Sequence, residues 1–332
     1  MEGVAAPESG WVDVHAHFTT PDYIAAATAA GYGQPDGMRG YPAWSVEDHL
    51  RLLDDNGIAT AVLSMSSPGV HFGDDAAAAA LARSVNDVAA DASDAHPTRF
   101  SWFAALPLPD VDASVRELRH AIDERGAHGA VVETNAHGMY LGDARMDAVY
   151  AELDARRGVL FIHPTTPACG EVTALGRPRP MVEFMFDTAR AVTDLVLAGV
   201  PQRFPQMQVI VPHAGGVLPL LADRIQGFMS IFGDPAAPKP DVHGALARFY
   251  YDLAGDPFPR LVPALLTLTD RDHVLYGTDY CWTPAPGVAK RLDLINADSP
   301  DWKASTTAAA RALLDAVARG GAAHDERSGH AR

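Results

Sequence analysis

Short apolar runs alternate with longer amphipathic stretches along most of the chain. The runs are rich in β-branched and aromatic residues and predict eight strands, at 11–16, 58–64, 99–106, 128–134, 158–163, 207–213, 248–253 and 272–278. Helical spacing predicts the intervening helices, at 45–56, 75–95, 112–125, 144–157, 182–199, 217–232, 257–268 and 304–318. A strand followed by a helix, repeated eight times, is typical of a (β/α)8 barrel.

The competing architecture is a doubly wound open sheet, which normally places a glycine-rich phosphate loop directly after its first strand. Here the first strand is followed by HFTTPDY, so we expect the α/β class and a (β/α)8 TIM barrel. We expect a single domain over 11–318, preceded by an N-terminal extension at 1–10. The small, polar segment at 319–332 is predicted to be a disordered tail.

Charge and cysteine content narrow the class of protein. The chain has 26 Lys+Arg against 42 Asp+Glu, a net charge of −16, which disfavours nucleic acid and anionic membranes as partners. The two cysteines are too few for a disulfide framework and fit a reducing compartment. The start of the sequence lacks the pattern of a signal peptide, and no run approaches the ~18 apolar residues of a membrane span. We therefore expect a cytoplasmic protein.

Ionisable residues stand at the ends of several predicted strands. His15 and His17 end the first strand, and because side chains alternate along a strand they share one face. His163 and His213 end the fifth and sixth strands, and Asp279 follows the eighth. A single histidine at a strand end is more often structural, but in a barrel all five converge on one rim. Three imidazoles and a carboxylate suit Zn²⁺, and they also serve Mn²⁺ or Fe²⁺.

Four segments carry a resemblance to a known family. In their order and spacing, VDVHAHF, FIHPTTP, VIVPHAGGVLPLLADR and VLYGTDY resemble the amidohydrolase superfamily. The branch they resemble contains aminocarboxymuconate-semialdehyde decarboxylase and γ-resorcylate decarboxylase, and the likeness extends from about residue 11 to 315. LSMSSPGVHFGD and EFMFDTARAV further resemble 6-methylsalicylate decarboxylase-like members.

The resemblance implies roles for the strand-end residues. The implied metal ligands are His15, His17, His163 and Asp279, with His213 as an unligated acid/base and Asp279 as a further proton carrier. One divalent metal is expected, zinc first and manganese second. Relatives with two metals use a carboxylated lysine at the end of the fourth strand, where GAVVETNAHG has none, although Glu133 remains a candidate bridge.

Two arginines are candidates for binding a substrate carboxylate. Arg224 occupies the place of an arginine that, in the semialdehyde decarboxylase, reaches the site of a neighbouring subunit, so the resemblance implies a homodimer. The alternative, which the sequence supports equally, is that Arg224 is an arginine on a solvent-exposed helix surface. Arg39, in the loop after the first strand, is the second candidate.

Aromatic residues near the rim are candidates to wall a flat substrate: Phe18, Tyr280 and Trp282. The leading hypothesis is a metal-dependent decarboxylase, without an organic cofactor, of a small hydroxylated aromatic or vinylogous acid such as a salicylate-type acid. A metal-dependent hydrolase of a lactone, ester or amide is the alternative, because the same site suits both reactions. A barrel that only binds a metal or ligand is the third hypothesis, and His213 argues against it.

Overall fold

In the computed structural model, the strands close into a parallel barrel surrounded by helices. The structure describes residues 10–236 and 239–329, with side chains described up to residue 317. The predicted extension at 1–10 therefore lies outside the described residues except for its last position. The helices are α1 Pro21–Ala29, α2 Val46–Asp55, α3 Asp75–Ala95, α4 Val111–Asp123, α5 Asp147–Arg156, α6 Gly170–Thr173, α7 Glu183–Leu197, α8 Val200–Arg203, α9 Leu218–Phe232, α10 Val242–Ala247, α11 Leu261–Leu265, α12 Ala285–Asp298 and α13 Asp301–Gly329.

The strands are β1 Trp11–His17, β2 Ile58–Ser64, β3 Phe100–Trp102, β4 Ala104–Ala105, β5 Gly129–Glu133, β6 Asn135–Ala136, β7 Met139–Tyr140, β8 Val159–His163, β9 Gln208–Val211, β10 Tyr250–Asp252 and β11 Val274–Leu275. Hydrogen bonding divides the barrel strands into two sheets. One has the order β1-β2-β3 and the other the order β11-β10-β9-β8-β5-β4, with all neighbours parallel. A separate antiparallel pair, β6 and β7, follows β5.

Two features join these sheets into a closed cylinder. Only Phe103 separates β3 from β4, so the two are one interrupted strand that belongs to both sheets. On the other side, Asp13 bridges to Tyr276 and Ala16 bridges to Tyr280, which continues the eighth strand beyond β11. The predicted (β/α)8 barrel is confirmed, and the ends of its parallel strands meet at one rim.

The local signals explain where the first barrel helix begins. Ser45 has extended backbone and its hydroxyl accepts a hydrogen bond from the Asp48 N–H (3.1 Å), which caps α2. Gly57, just after the helix, has a φ of +63°, a conformation that glycine adopts without steric cost. The chain then enters β2 directly. Sequence pattern and structure agree closely at this junction.

Burial accounts for the apolar composition of the strands. Every residue of β1 and of β8 is buried, because one strand face points into the barrel and the other packs on helices. Each fully buried Val, Leu, Ile or Phe side chain contributes ~1.5–3 kcal/mol. Within β1, His15 and His17 are therefore buried polar side chains among buried apolar neighbours.

The structure differs from the sequence-based expectation in several helices. The predicted helix at 257–268 is shorter, covering Leu261–Leu265, and α12 was not predicted. The segment predicted as a disordered tail is helical as far as Gly329, the end of α13, and residues 330–332 lie outside the described residues. Within the part of the chain that the structure describes, no helix is both long enough and apolar enough to span a membrane.

Candidate metal centre and active site

Three histidines from two strands meet at the rim of the barrel. His15 and His17 lie on the same face of β1, with their Nε2 atoms 3.0 Å apart. His163 ends β8 and reaches the same point, so that one nitrogen from each of the three rings lies within 4.8 Å of the others. The sequence-based prediction that these side chains converge agrees with this geometry.

Outer contacts orient two of these rings. His15 Nδ1 lies 2.9 Å from Asp252 Oδ2, and His17 Nδ1 lies 3.2 Å from the Ser64 carbonyl oxygen. A partner on Nδ1 leaves Nε2 of each ring directed at the common point, the arrangement that metal-binding histidines commonly show. Gly277 permits this packing, because a Cβ there would lie 2.7 Å from His15 Cβ.

Asp279 and His213 complete the cluster from two turns. Asp279 Oδ1 lies 3.4 Å from His17 Nε2 and 3.7 Å from His15 Nε2, and its Oδ2 lies 3.8 Å from His213 Nε2. Both residues have positive φ, 58° for Asp279 and 54° for His213. This conformation costs a non-glycine residue ~1–3 kcal/mol and is concentrated at functional sites. The backbone N–H of His213 also donates to Asp252 Oδ1 (3.0 Å), so Asp252 supports both the His15 ring and the His213 backbone.

Burial and charge set the protonation of the cluster. Burial lowers the pKa of His17 and, together with the neighbouring imidazoles, lowers that of His163 well below its usual value. Burial acts against the Asp279 carboxylate, but the neighbouring imidazoles of His17, His213 and His15 hold its pKa well below the usual range. Burial also opposes a charge on His15, but Asp252 outweighs it and raises the His15 pKa.

The donor set fits a divalent cation. Two neutral imidazoles, a carboxylate and a third imidazole held by Asp252 place nitrogen and oxygen donors around one point, and a metal at His15 Nε2 would leave the Nδ1 contact with Asp252 in place. Such mixed donors suit Zn²⁺ and Mn²⁺. The residues that would hold the metal are His15, His17, His163 and Asp279.

A cavity of about 660 Å³ opens above this cluster. His163, His213 and Asp279 line its floor, and its walls include Met181, Phe184, Met185 and Trp282. The Trp282 indole N–H donates to Ser66 Oγ (2.7 Å), which holds the ring in place. A cavity of ~150 Å³ accommodates benzene, so this one has room for a substituted aromatic ring. Apolar walls over a polar floor are typical of small-molecule sites.

The five predicted substrate-binding residues have different locations. Trp282 lines the cavity. Phe18 and Tyr280 are buried beside it instead, with Phe18 packed on Trp44 (ring centroids 5.7 Å) and Tyr280 packed on His49 (4.8 Å). Arg39 and Arg224 are exposed, and neither belongs to the described lining of this cavity. The structure of one chain thus brings only Trp282 of this group to the site.

Glu133, the candidate bridge to a second metal, faces elsewhere. Its carboxylate lies against Gly69 in a separate cavity of about 510 Å³, and burial raises its pKa to about 8. Among the described residues, the one group of converging metal donors is His15, His17 and His163, without Glu133. This placement favours a single metal.

Sequence reasoning missed two kinds of functional residue. Asp252 ends an apolar strand, as His163 does, so the same search for polar residues at strand ends would have found it. Lys290 and Arg291 line the cavity from α12, a helix with no sequence signal linking it to the rim. The cavity walls Met181 and Phe184 likewise come from a long loop and the helix that follows it.

Comparison with known proteins identifies the family. The family model described as amidohydrolase matches residues 12–319, most of the chain. The chain belongs to the amidohydrolase family. Its relatives within the family include the 6-methylsalicylic acid decarboxylase of Penicillium expansum, which is 33% identical over 291 residues, covering 86% of this chain and 89% of that protein.

Solved amidohydrolase-family structures share the whole architecture. A crystal structure of an amidohydrolase II superposes with a TM-score of 0.85 at 31% identity, covering 92% of this chain and 99% of the other. A dihydroxybenzoic acid decarboxylase from Polaromonas sp. JS666, with bound manganese and the inhibitor 2-nitroresorcinol, superposes with a TM-score of 0.79 at 25% identity, covering 92% and 97%.

Proposed function

We propose that this amidohydrolase-family protein is a metal-dependent decarboxylase, without an organic cofactor, of a small hydroxylated aromatic acid, with a salicylate-type acid as the expected substrate. The observation that carries the proposal is His213, which lies beside a complete donor set on the floor of a cavity with apolar walls. The decarboxylase relatives support the reaction class.

The chemistry divides between the metal and the protein. A cation held by His15, His17, His163 and Asp279 would supply a Lewis acid for the oxygen atoms of the acid and so fix its position in the site. The ring carbon that bears the carboxylate must then gain a proton. The carbon–carbon bond breaks, CO2 leaves, and the bonding electrons return to the ring and restore its aromaticity.

His213 and Asp279 are the groups that move this proton. They line the cavity together, and the 3.8 Å between His213 Nε2 and Asp279 Oδ2 is short enough for a small adjustment to link them. His213 Nδ1 is buried and has no hydrogen-bond partner in the described structure, so the ring is not committed to a structural contact on that side. Trp282, Phe184 and the neighbouring methionines orient the ring of the acid and exclude water.

An assay of CO2 release tests the reaction class. We expect the metal-loaded protein to convert 6-methylsalicylate, salicylate or 2,6-dihydroxybenzoate into CO2 and one equivalent of the corresponding phenol. Benzoate, which lacks the adjacent hydroxyl, is the matched control and should react far more slowly. Hydrolysis of lactones or esters without CO2 release from any of these acids would instead establish the hydrolase alternative.

Zinc is the metal we propose for the site, with manganese as the alternative. Three imidazoles and one carboxylate form a set that Zn²⁺ binds well, while the Polaromonas relative contains manganese. Comparing the activity of protein reconstituted with each ion decides between them.

We also propose a cytoplasmic location, on the strength of the two cysteines, both free in the structure.

A homodimer is the assembly we propose, with helix α9 at its interface. Four apolar side chains of α9, between 54% and 73% exposed, form a stripe on the outside of the barrel: Leu220, Phe228, Ile231 and Phe232. Contiguous exposed apolar surface of this kind marks protein interfaces. Arg224 is exposed on the same helix, a position from which it could enter the cavity of a partner.

Complementation between inactive variants tests this arrangement. We expect Arg224→Gln and His213→Asn each to be inactive, and an equal mixture, after subunit exchange, to regain about a quarter of the wild-type activity. Half of the dimers in that mixture are hybrids, and each hybrid has one site with both residues intact. Light scattering should report a dimer for both variants. A monomer, or no recovery after demonstrated exchange, would contradict the shared site.

A further inference from the structure

Two basic side chains line the active-site cavity from one face of α12. Lys290 and Arg291 follow Gly287 by one helical turn, and all three line the cavity. They are the only lysine or arginine side chains among the described residues of this lining. In a chain with a net charge of −16, two adjacent cations at the substrate cavity call for a functional explanation.

The Arg291 guanidinium contacts two segments at the cavity, one of which carries Asp279. It donates to Thr283 Oγ1, and the Thr283 N–H donates to the Asp279 carbonyl oxygen (2.7 Å). Its other Nη atom lies 3.4 Å from Asp256 Oδ2. Asp256 follows Gly255, where an added Cβ would lie 3.5 Å from His213 Cδ2. Arg291 is thus anchored to the turn that presents Asp279, and it also contacts the loop after β10.

The charges on this wall do not cancel. Asp256 pairs with Arg291, but its side chain is 73% exposed, so the interaction is weak and exchangeable. Lys290 has no ion-pair partner among the described residues. The other two carboxylates in the lining lie on other segments: Asp36 is in the loop between α1 and α2, and Asp279 belongs to the donor cluster. A positive charge therefore faces the cavity at α12.

We propose that Lys290 and Arg291 form a charge filter, which draws the anionic aromatic acid into the cavity and does not retain the product. The inference rests on the proposed decarboxylase function, because decarboxylation turns an anionic acid into a neutral phenol. Local cations raise the concentration of an anion at a site that the overall negative charge would otherwise repel. Loss of the carboxylate removes this attraction, so the product leaves.

Charge-neutralising variants test the filter. We expect Lys290→Gln and Arg291→Gln each to raise KM for the acid about three- to tenfold with little change in kcat. Each substitution should also make KM less dependent on ionic strength. Inhibition by the phenol product should be unchanged. Arg291→Lys keeps the positive charge, so its KM should lie close to the wild-type value. Asp256→Asn removes the competing carboxylate and should lower KM below the wild-type value. Arg145→Gln, an exposed arginine paired with Asp143, is the matched control and should behave as wild type.

Calorimetric titration of salicylate and of phenol into the metal-loaded protein gives a readout independent of turnover. The double variant Lys290→Gln/Arg291→Gln should lose affinity for salicylate and keep its affinity for phenol, with metal content and circular dichroism unchanged. An unchanged affinity for salicylate, or an equal loss for both ligands, would overturn the filter. A wild-type protein that binds the acid and releases no CO2 would refute the proposed function, while this titration would still decide the filter.

Discussion

Replacing His213 with asparagine is expected to lower kcat about 10²- to 10⁴-fold while the metal stays bound. Asparagine retains a polar side chain but cannot take up or release a proton near neutral pH. His213 lies outside the group of three converging histidines, with Nε2 3.8 Å from Asp279 Oδ2 and a buried Nδ1 that has no hydrogen-bond partner among the described residues. Single-turnover rates of CO2 release, together with metal analysis of the same samples, measure the effect.

The control for this substitution is another histidine outside the cavity. His273 packs on Tyr250 at a distance from the rim, so His273→Asn should retain full activity. Full turnover by His213→Asn with one metal bound would show that the acid/base assignment is wrong. A loss of metal along with activity would assign His213 to the ligand set instead.

Removing the metal is expected to abolish activity, and one equivalent of a divalent cation per chain should restore it. His17→Gln should lose both metal and activity, because it removes a donor that meets His15 and Asp279 within 3.0 to 3.4 Å. Asp252→Asn, which alters the support of His15 and His213 without removing a metal donor, should weaken metal affinity by about 10- to 100-fold. Metal analysis with titrated reconstitution measures both variants.

Thermal unfolding supplies a second measurement of the same site. Metal that binds only the folded chain raises the unfolding temperature, so the wild type should be stabilised by the cation and His17→Gln should not. His71→Gln, at the second cavity, should respond to the metal as the wild type does. Two equivalents of metal per chain would overturn the single-metal interpretation, and full activity in metal-free protein would overturn the metal's role.

The barrel could be predicted because its signals are local. Strand runs separated by helical spacing indicated eight repeats, and the Ser45 cap and Gly57 marked the ends of α2 where the structure has them. The ends of helices in irregular regions were harder to predict from the sequence. The helix predicted at 257–268 is limited to Leu261–Leu265, and α12 has a proline rather than a side-chain cap at its start.

The sequence by itself determined the eight-fold repeat and the convergence of five side chains at one rim: His15, His17, His163, His213 and Asp279. Strand periodicity fixes the face on which a side chain lies, and the ends of parallel strands meet at one rim, so neither inference requires knowledge of packing. Only the tertiary structure decided which side chains surround the substrate. Phe18 and Tyr280 turn into the core while Trp282, Lys290 and Arg291 face the cavity. Loops and outer helices have no fixed period relative to the rim, so long-range packing sets their orientation.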